Sequence, residues 1–444
     1  MRPIGLSCAG AALVVTGLAA QQELFPHADL DPRFSTLQLS FLAAALLGFG
    51  ITVLRRPRWA SAWELGLVLA TLVLVFLILE DRNQALLGAA IAAPLLLALY
   101  WKREQVRRHR PELLLSYTMF LLCFIVFEAA ARVYYFGPRA LLPQYGSSVN
   151  ELGKSGLLRK SDDPEIQWEF KPNLDEIYNL VRFQTNSRGL PDKEYPLAKP
   201  EATYRVAVIG DSVTQPFGVA LENSFHTILE HRYDALSELK SGSESELESE
   251  LESESIRHEF INFAVGGYSL PQYLAVLKGR ALAYQPDHLL LAIYPGNDLY
   301  LEDRRNFKIQ RKRTNQYLKL WSTRLFSRHL IKRIEAMRRP TEKPPDYDVG
   351  AIRQIFREIH QIVAAERIGM TSIVLRRGPD LHRREFEIIR DVSRDLEIPL
   401  IDTGPAFTSV AFRDTVVSQM DPHPNVQAHE IFAATIYGAL ELGF

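Results

Sequence analysis

The sequence predicts a parallel α/β domain set behind several membrane-spanning helices, and three observations predict it. Short apolar runs, rich in Leu and β-branched residues, occur at 204–209, 260–265, 288–294, 371–375 and 399–401. Helical patterns at 221–236, 271–284, 349–367, 381–396 and 428–440 alternate with them. Strands that are apolar throughout and separated by helices belong to a parallel sheet covered on both faces. The third observation is a change in composition: from Ile4 to Phe136 the chain is mostly Leu, Ala, Val and Phe in blocks broken by short charged loops, and beyond Phe136 it is mixed.

With 444 residues, 47% of them hydrophobic, and a net charge of -1, the chain has room for more than one domain and is not a largely disordered protein. Region 1–136 is read as transmembrane, 137–203 as an irregular lead-in and 204–444 as the main domain. The blocks 36–54, 63–79, 85–101 and 113–136 have the roughly 17 to 25 residues that crossing a hydrocarbon core takes. A fifth block, 4–20, reads either as an uncleaved helix or as a signal peptide ending near Ala19 and Ala20. The Gln21-Gln22 that follows, with no A-x-A site, favours the helix.

Arg55, Arg56 and Arg58 form one basic loop and Lys102, Arg103, Arg107, Arg108 and Arg110 another, whereas 23–31 and 80–81 are acidic. Basic loops stay in the cytoplasm, so five spans put everything after Phe136 in the periplasm or cell exterior. Cleavage of the first span leaves the same result. Glu128 and Arg132, four apart in the last span, are expected to pair on one helix face as an interfacial ion pair rather than as a proton or substrate path. Cys8 and Cys123 both lie in apolar blocks, which leaves no disulfide framework.

The lead-in is rich in Pro, Asn and Asp, with short strand patterns at 166–170 and 180–185. Within the main domain, 241–255 reads SGSESELESELESES, too poor in apolar surface to order itself, and is expected to be a disordered or loosely helical excursion. The segment 304–339 is basic and amphipathic. It suits a membrane surface or an anionic glycan, or a charged helical hairpin packed on the fold. Nucleic acid is not expected as a partner of an outward-facing domain.

Ligands of open α/β sheets sit beyond the carboxyl ends of the strands. The first strand ends in Gly210, Asp211, Ser212, Val213 and Thr214, ordinary turn residues when taken alone. The second run ends in Val265, Gly266, Gly267 and Tyr268, and the third in Pro295, Gly296, Asn297 and Asp298. Asp421, Pro422, His423, Pro424 and Asn425 precede the last helical pattern. Together these supply a hydroxyl, a base, an acid to orient the base and donors for an oxyanion, which is what acyl transfer requires.

The order GDSVT, VGGYS, GND, DPHPN, over roughly 204–440, resembles the SGNH/GDSL hydrolase superfamily, and TNSRGLPD at 185–192 is similar to the lead-in of its membrane-linked and exported bacterial members. The resemblance implies a flavodoxin-like three-layer α/β/α sandwich with Ser212 as nucleophile, His423 as general base and Asp421 as the group that orients it. It implies backbone N–H groups of Ser212 and Gly267 and the Asn297 amide as oxyanion donors, with no cofactor. Two blocks depart from the family pattern: Pro295 stands where G-x-N-D has its first Gly, and D-x-H replaces the common D-x-x-H. Asn186 and Arg188 are read as turn-formers, and His429 as a helix-start or core residue rather than a metal ligand.

The resemblance implies a membrane-anchored serine esterase in the bacterial inner membrane, its hydrolase domain in the periplasm, acting on O-acetyl groups of envelope glycans or lipids and with an envelope-biosynthesis protein as a conceivable partner. The alternatives are an O-acetyltransferase for an exported polysaccharide, using the same acyl-enzyme, and a catalytically silent glycan-binding or assembly module.

Overall fold

The computed structural model describes residues 110–142, 152–244, 256–301, 346–418, 421–440 and 442. The apolar blocks 4–20, 36–54, 63–79 and 85–101 lie outside the described residues, as do 245–255 of the Ser-Glu-Leu repeat and the basic segment 304–339. The chain divides into two units, Met1–Ser147 with Lys312–Glu342, and Ser148–Arg311 with Lys343–Phe444.

In the first unit, α1 (Arg110–Phe136) ends at Gly137, whose φ of 79° is open to glycine at no steric cost. Arg132 Nε donates to Glu128 Oε1 at 2.9 Å, the pairing expected of that spacing. The charge-free run ahead of Glu128 covers only 113–127, about 22 Å of helix against a hydrocarbon core of about 30 Å. Among the described residues no helix is long and apolar enough to cross a membrane.

The second unit opens with two small antiparallel pairs, β1 (Leu158–Lys160) with β2 (Trp168–Phe170), and β3 (Asp175–Tyr178) with β4 (Val181–Gln184). Only Asn179 and Leu180 connect β3 to β4, both with positive φ (49° and 70°), the backbone of a two-residue hairpin turn whose twist matches its strands.

The main sheet follows: β5 (Thr203–Ile209), β6 (Arg257–Asn262), β7 (His288–Ile293), β8 (Gly369–Val374) and β9 (Leu400–Asp402). All neighbours are parallel and the order is β6-β5-β7-β8-β9. The helices between them are α2 (Phe225–Glu244), α3 (Leu270–Val276), α4 (Val349–Ala365) and α5 (Arg383–Asp395), and α6 (Val426–Tyr437) closes the chain. Alternation along β5 sorts them: Val206 and Val208 pack with Phe225 and Leu229 of α2 and Phe432 of α6, while Ala207 and Ile209 belong to the core holding Phe356 of α4 and Ile389 of α5. Helices therefore cover both faces, giving the three layers expected.

Boundaries differ most in three places. The second strand stops at Asn262, not 265, because Asn262 Oδ1 accepts the Ala264 N–H (2.9 Å) and turns the chain out of the ladder. The helical pattern 271–284 divides into α3 and two turns, Leu277–Ala281 and Leu282–Tyr284, with Gly279 inside the first. Helix α2 runs on to Glu244, through the first four residues of the Ser-Glu-Leu repeat.

The chain leaves β5 for β6 on one side and returns to β7 on the other. That is the topological switch of an open sheet, and it opens a crevice beyond the carboxyl ends of β5 and β7.

Candidate active site

The turn after β5 is forced tight by Gly210, where a Cβ would stand 2.1 Å from Thr214 Oγ1 and 2.9 Å from the Ala292 carbonyl. Asp211 closes it, its Oδ1 accepting the Val213 N–H at 2.8 Å. Asp211 is fully buried, and burial pushes its carboxyl up, against the Val213 N–H and the Asn297 amide that favour its charged form. Ser212, half-buried at the tip, places Oγ 2.9 Å from His423 Nε2 and 3.4 Å from Asp211 Oδ2.

His423 and Asp421 come from a hairpin outside the main sheet, β10 (Val416–Ser418) with β11 (Asp421–Pro424). Residues two apart in a strand share a face, so D-x-H suffices to pair them. His423 Nδ1 lies 2.5 Å from Asp421 Oδ1, which also accepts the His423 backbone N–H (3.1 Å). A carboxylate there puts the imidazole proton on Nδ1 and leaves Nε2 as the acceptor facing Ser212. Burial acts to raise the Asp421 carboxyl, but hydrogen bonds from His423 and Asn179 outweigh it and hold the group below its ordinary value. Asn425 then starts α6, its Oδ1 accepting the Ala428 N–H.

Side chains from elsewhere fix the hairpin and its imidazole. Phe217 lies against the His423 ring, centroids 4.2 Å apart. The Arg377 guanidinium donates to the Thr415 carbonyl (2.6 Å) and to that of Pro422, and stacks 4.5 Å over Phe412. Burial lowers this arginine to about 10.

The expected oxyanion donors border the same crevice. A Cβ on Gly266 would come within 3.3 Å of Ser212 Cβ, so this backbone runs against the nucleophile. The Gly266 N–H is taken by Gln215 Oε1 at 2.8 Å, and the next residue, Gly267, has a φ of 85°. Asp298 locks the turn after β7, its Oδ2 accepting the Tyr294 N–H (2.7 Å) and the Tyr273 hydroxyl (2.6 Å). A Cβ on Gly296 would meet the Tyr294 ring at 2.6 Å, so the turn with Pro295 needs glycine next. It presents Asn297, whose Nδ2 donates to Asp211 Oδ2 at 3.2 Å. Ser212, His423 and Asp421 thus form one hydrogen-bonded chain, and Asn297 joins it through Asp211.

Asn186 caps its own turn, its Oδ1 accepting the Arg188 and Leu190 N–H groups, and the Arg188 carbonyl takes a hydrogen bond from Arg280. His429 is buried in the core against Phe225, accepts the Phe225 N–H through Nδ1 (3.2 Å), and is pushed down to about 3 by burial. Among the described residues no group of three or more His, Cys, Asp or Glu is placed to hold a metal ion. Asn179, Phe217 and Arg377 are site residues that sequence reasoning missed. The only hint was an Asn where a two-residue turn needs positive φ.

No family model matches the chain, and no curated protein does. Among solved structures it is similar to the psychrotrophic esterase EstA from Pseudoalteromonas sp., with 13% identity over 53% of this chain and 95% of that one and a TM-score of 0.32. It is also similar to the acetyl xylan esterase AlAXEase (16%, 53% and 100%, TM-score 0.33) and to the acetylxylan esterase Axe2 from Geobacillus stearothermophilus (12%, 54% and 95%, TM-score 0.33). Likeness at this level decides neither fold nor chemistry, which rest on the sheet and on the side chains that meet at Ser212.

Proposed function

We propose that the protein is a serine esterase of the SGNH type, anchored in a bacterial membrane, that removes acyl groups, O-acetyl above all, from envelope glycans or lipids. One observation carries the reading: the continuous hydrogen-bonded chain from Ser212 Oγ through His423 to Asp421 at the carboxyl ends of the strands. His423 Nε2 takes the Ser212 proton as Oγ bonds to the ester carbonyl carbon, and Asp421 stabilises the imidazolium. Backbone N–H groups of Ser212 and Gly267 and the second N–H of the Asn297 amide receive the developing oxyanion. The carbonyl–alkoxy bond then breaks, and His423 returns the proton to the leaving hydroxyl. Water, deprotonated by the same imidazole, cleaves the acyl-enzyme to carboxylic acid and free Ser212.

Anchoring is supported by the apolar blocks that precede Phe136 in the sequence and by the basic loops between them. A sugar hydroxyl replacing water would make the same intermediate an O-acetyltransferase, with no change in the triad.

The test uses the full-length chain with 4-nitrophenyl acetate and a fluorophosphonate probe, comparing wild type with Ser212→Ala. Labelling and turnover that both disappear in the variant support a serine acyl-enzyme. A folded wild-type chain that neither labels nor turns over is instead the silent module.

A further inference from the structure

We infer that Asn179, at the tip of the β3–β4 hairpin, is a positioning residue of the triad, so that the lead-in is part of the catalytic apparatus; this rests on the esterase reading above. Asp421 has two carboxylate oxygens. Oδ1 is occupied by His423, and Oδ2 accepts Asn179 Nδ2 at 2.7 Å in a buried contact across 242 residues of sequence. A carboxylate held at one oxygen only can rotate about its Cβ–Cγ bond and carry the imidazole with it. One held at both cannot.

The surroundings are shaped to this amide. Asn179 is 4% exposed and sits in the left-handed region that Asn tolerates better than most residues. Gly218 has a φ of 78°, and a Cβ there would lie 2.6 Å from Asn179 Nδ2, so the glycine leaves the space the amide fills. Tyr178, the preceding residue, meets Phe217 edge-on at 5.3 Å, and Phe217 in turn lies against the His423 ring. One hairpin tip therefore supports both the acid and the base. The titratable and charged groups around Asp421 are His423 on its own strand and Arg377 from the end of β8, with Asp211 beyond His423. Asn179 is the neutral donor among them and adds no charge to the pair.

A turn-forming Asn would look the same in sequence, so the experiment separates turn from amide in the full-length chain with 4-nitrophenyl acetate. Asn179→Gly keeps positive φ and removes the donor. The expected result is a kcat lower by about tenfold or more, the scale of one hydrogen bond to a charged group, with KM within about twofold and a melting temperature a few degrees lower. Asn179→Asp keeps the shape and sets a second carboxylate against Asp421. It is expected to favour protonated His423 and move the acid limb of the kcat profile to higher pH. If both variants keep wild-type kcat and acid limb while Ser212→Ala is inactive, the inference is overturned and the esterase reading stands. If Ser212→Ala keeps full turnover, the esterase reading fails and takes the inference with it.

Discussion

Both ends of the main sheet bury carboxylates, Glu259 at one and Asp211 and Asp421 at the other, and put them to opposite use. At the amino end, Arg205 is fully buried, with Nε on Glu259 Oε2 at 2.6 Å and its other nitrogens on the carbonyls of Pro196 (2.7 Å), Leu197 (2.9 Å) and Tyr284 (2.8 Å). Asp287 nearby takes the Arg205 N–H and the Lys199 ammonium. At the carboxyl end a hydroxyl and an imidazole face each other half-buried, with only their far sides fixed. Buried charge alone does not mark a site. A cavity of about 1040 Å³ lies at the amino end, lined by Tyr204, Asp287, His288 and Arg367 among others, away from Ser212. Reactivity requires a group whose partner is another reactive group rather than a carbonyl.

The largest break in that contrast is Ser212→Ala, expected to lower turnover by about a million-fold, roughly 8 kcal/mol, while leaving the melting temperature unchanged. Retained turnover in a folded variant would move the chemistry elsewhere.

Next comes Arg205→Met, which should leave activity per folded molecule intact but cost about 3–5 kcal/mol of stability by stranding the Glu259 carboxylate. Adding Glu259→Leu should recover much of that loss in denaturant unfolding. A double variant no more stable than the single would mean that the carbonyl contacts, not the ion pair, hold this end together.

Asn297→Ala is expected to reduce kcat by about a hundred- to a thousand-fold, as the loss of one oxyanion donor does. Because the amide also binds Asp211, a fall in kcat with unchanged KM distinguishes oxyanion loss from collapse of the turn.

The last effect is on acid stability. Burial pushes His429 to about 3 and His288 to about 4, so both stay neutral in the fold, whereas an unfolded histidine protonates near 6.5. Their contribution is complete above about pH 6.5 and drains away as pH falls toward those values, by at most about 1.4 kcal/mol per pH unit for each. His429→Gln keeps an acceptor for the Phe225 N–H and removes one titration. Its melting temperature should fall less steeply between about pH 6 and 4, and a wild-type slope would place the acid lability in other groups.

Much of this was legible in the sequence, and the exceptions have physical causes. Continuous apolar runs located β5, β7 and β8 closely because burial on both faces leaves no polar alternation, and overlapped β6 and β9 in part. The end of β6 was misplaced because 263–265 stays apolar and the stop is a side-chain hydrogen bond from Asn262. Ser212, Asn297 and His423 were singled out by the resemblance of their motifs taken together, and the structure brings them to one crevice. Asn179 was not, since its partner lies 242 residues away, and Arg377, in an Arg-Arg pair after β8, resembles a solvated charge although it is buried. Pro422 and Pro424 hid β11, because proline argues against a strand unless the strand is at an edge.

Asp421 and His423 share one four-residue strand, while Ser212 stands in the turn that follows β5. The Asp421–His423 separation is therefore set by local backbone geometry and survives any rigid displacement of the hairpin. The Ser212–His423 separation depends instead on how the hairpin is seated, which Asn179, Phe217 and Arg377 hold. A displacement of β10–β11 that parted the pair from Ser212 would keep the bond within the pair and break those that Asn179 and Arg377 make to the hairpin.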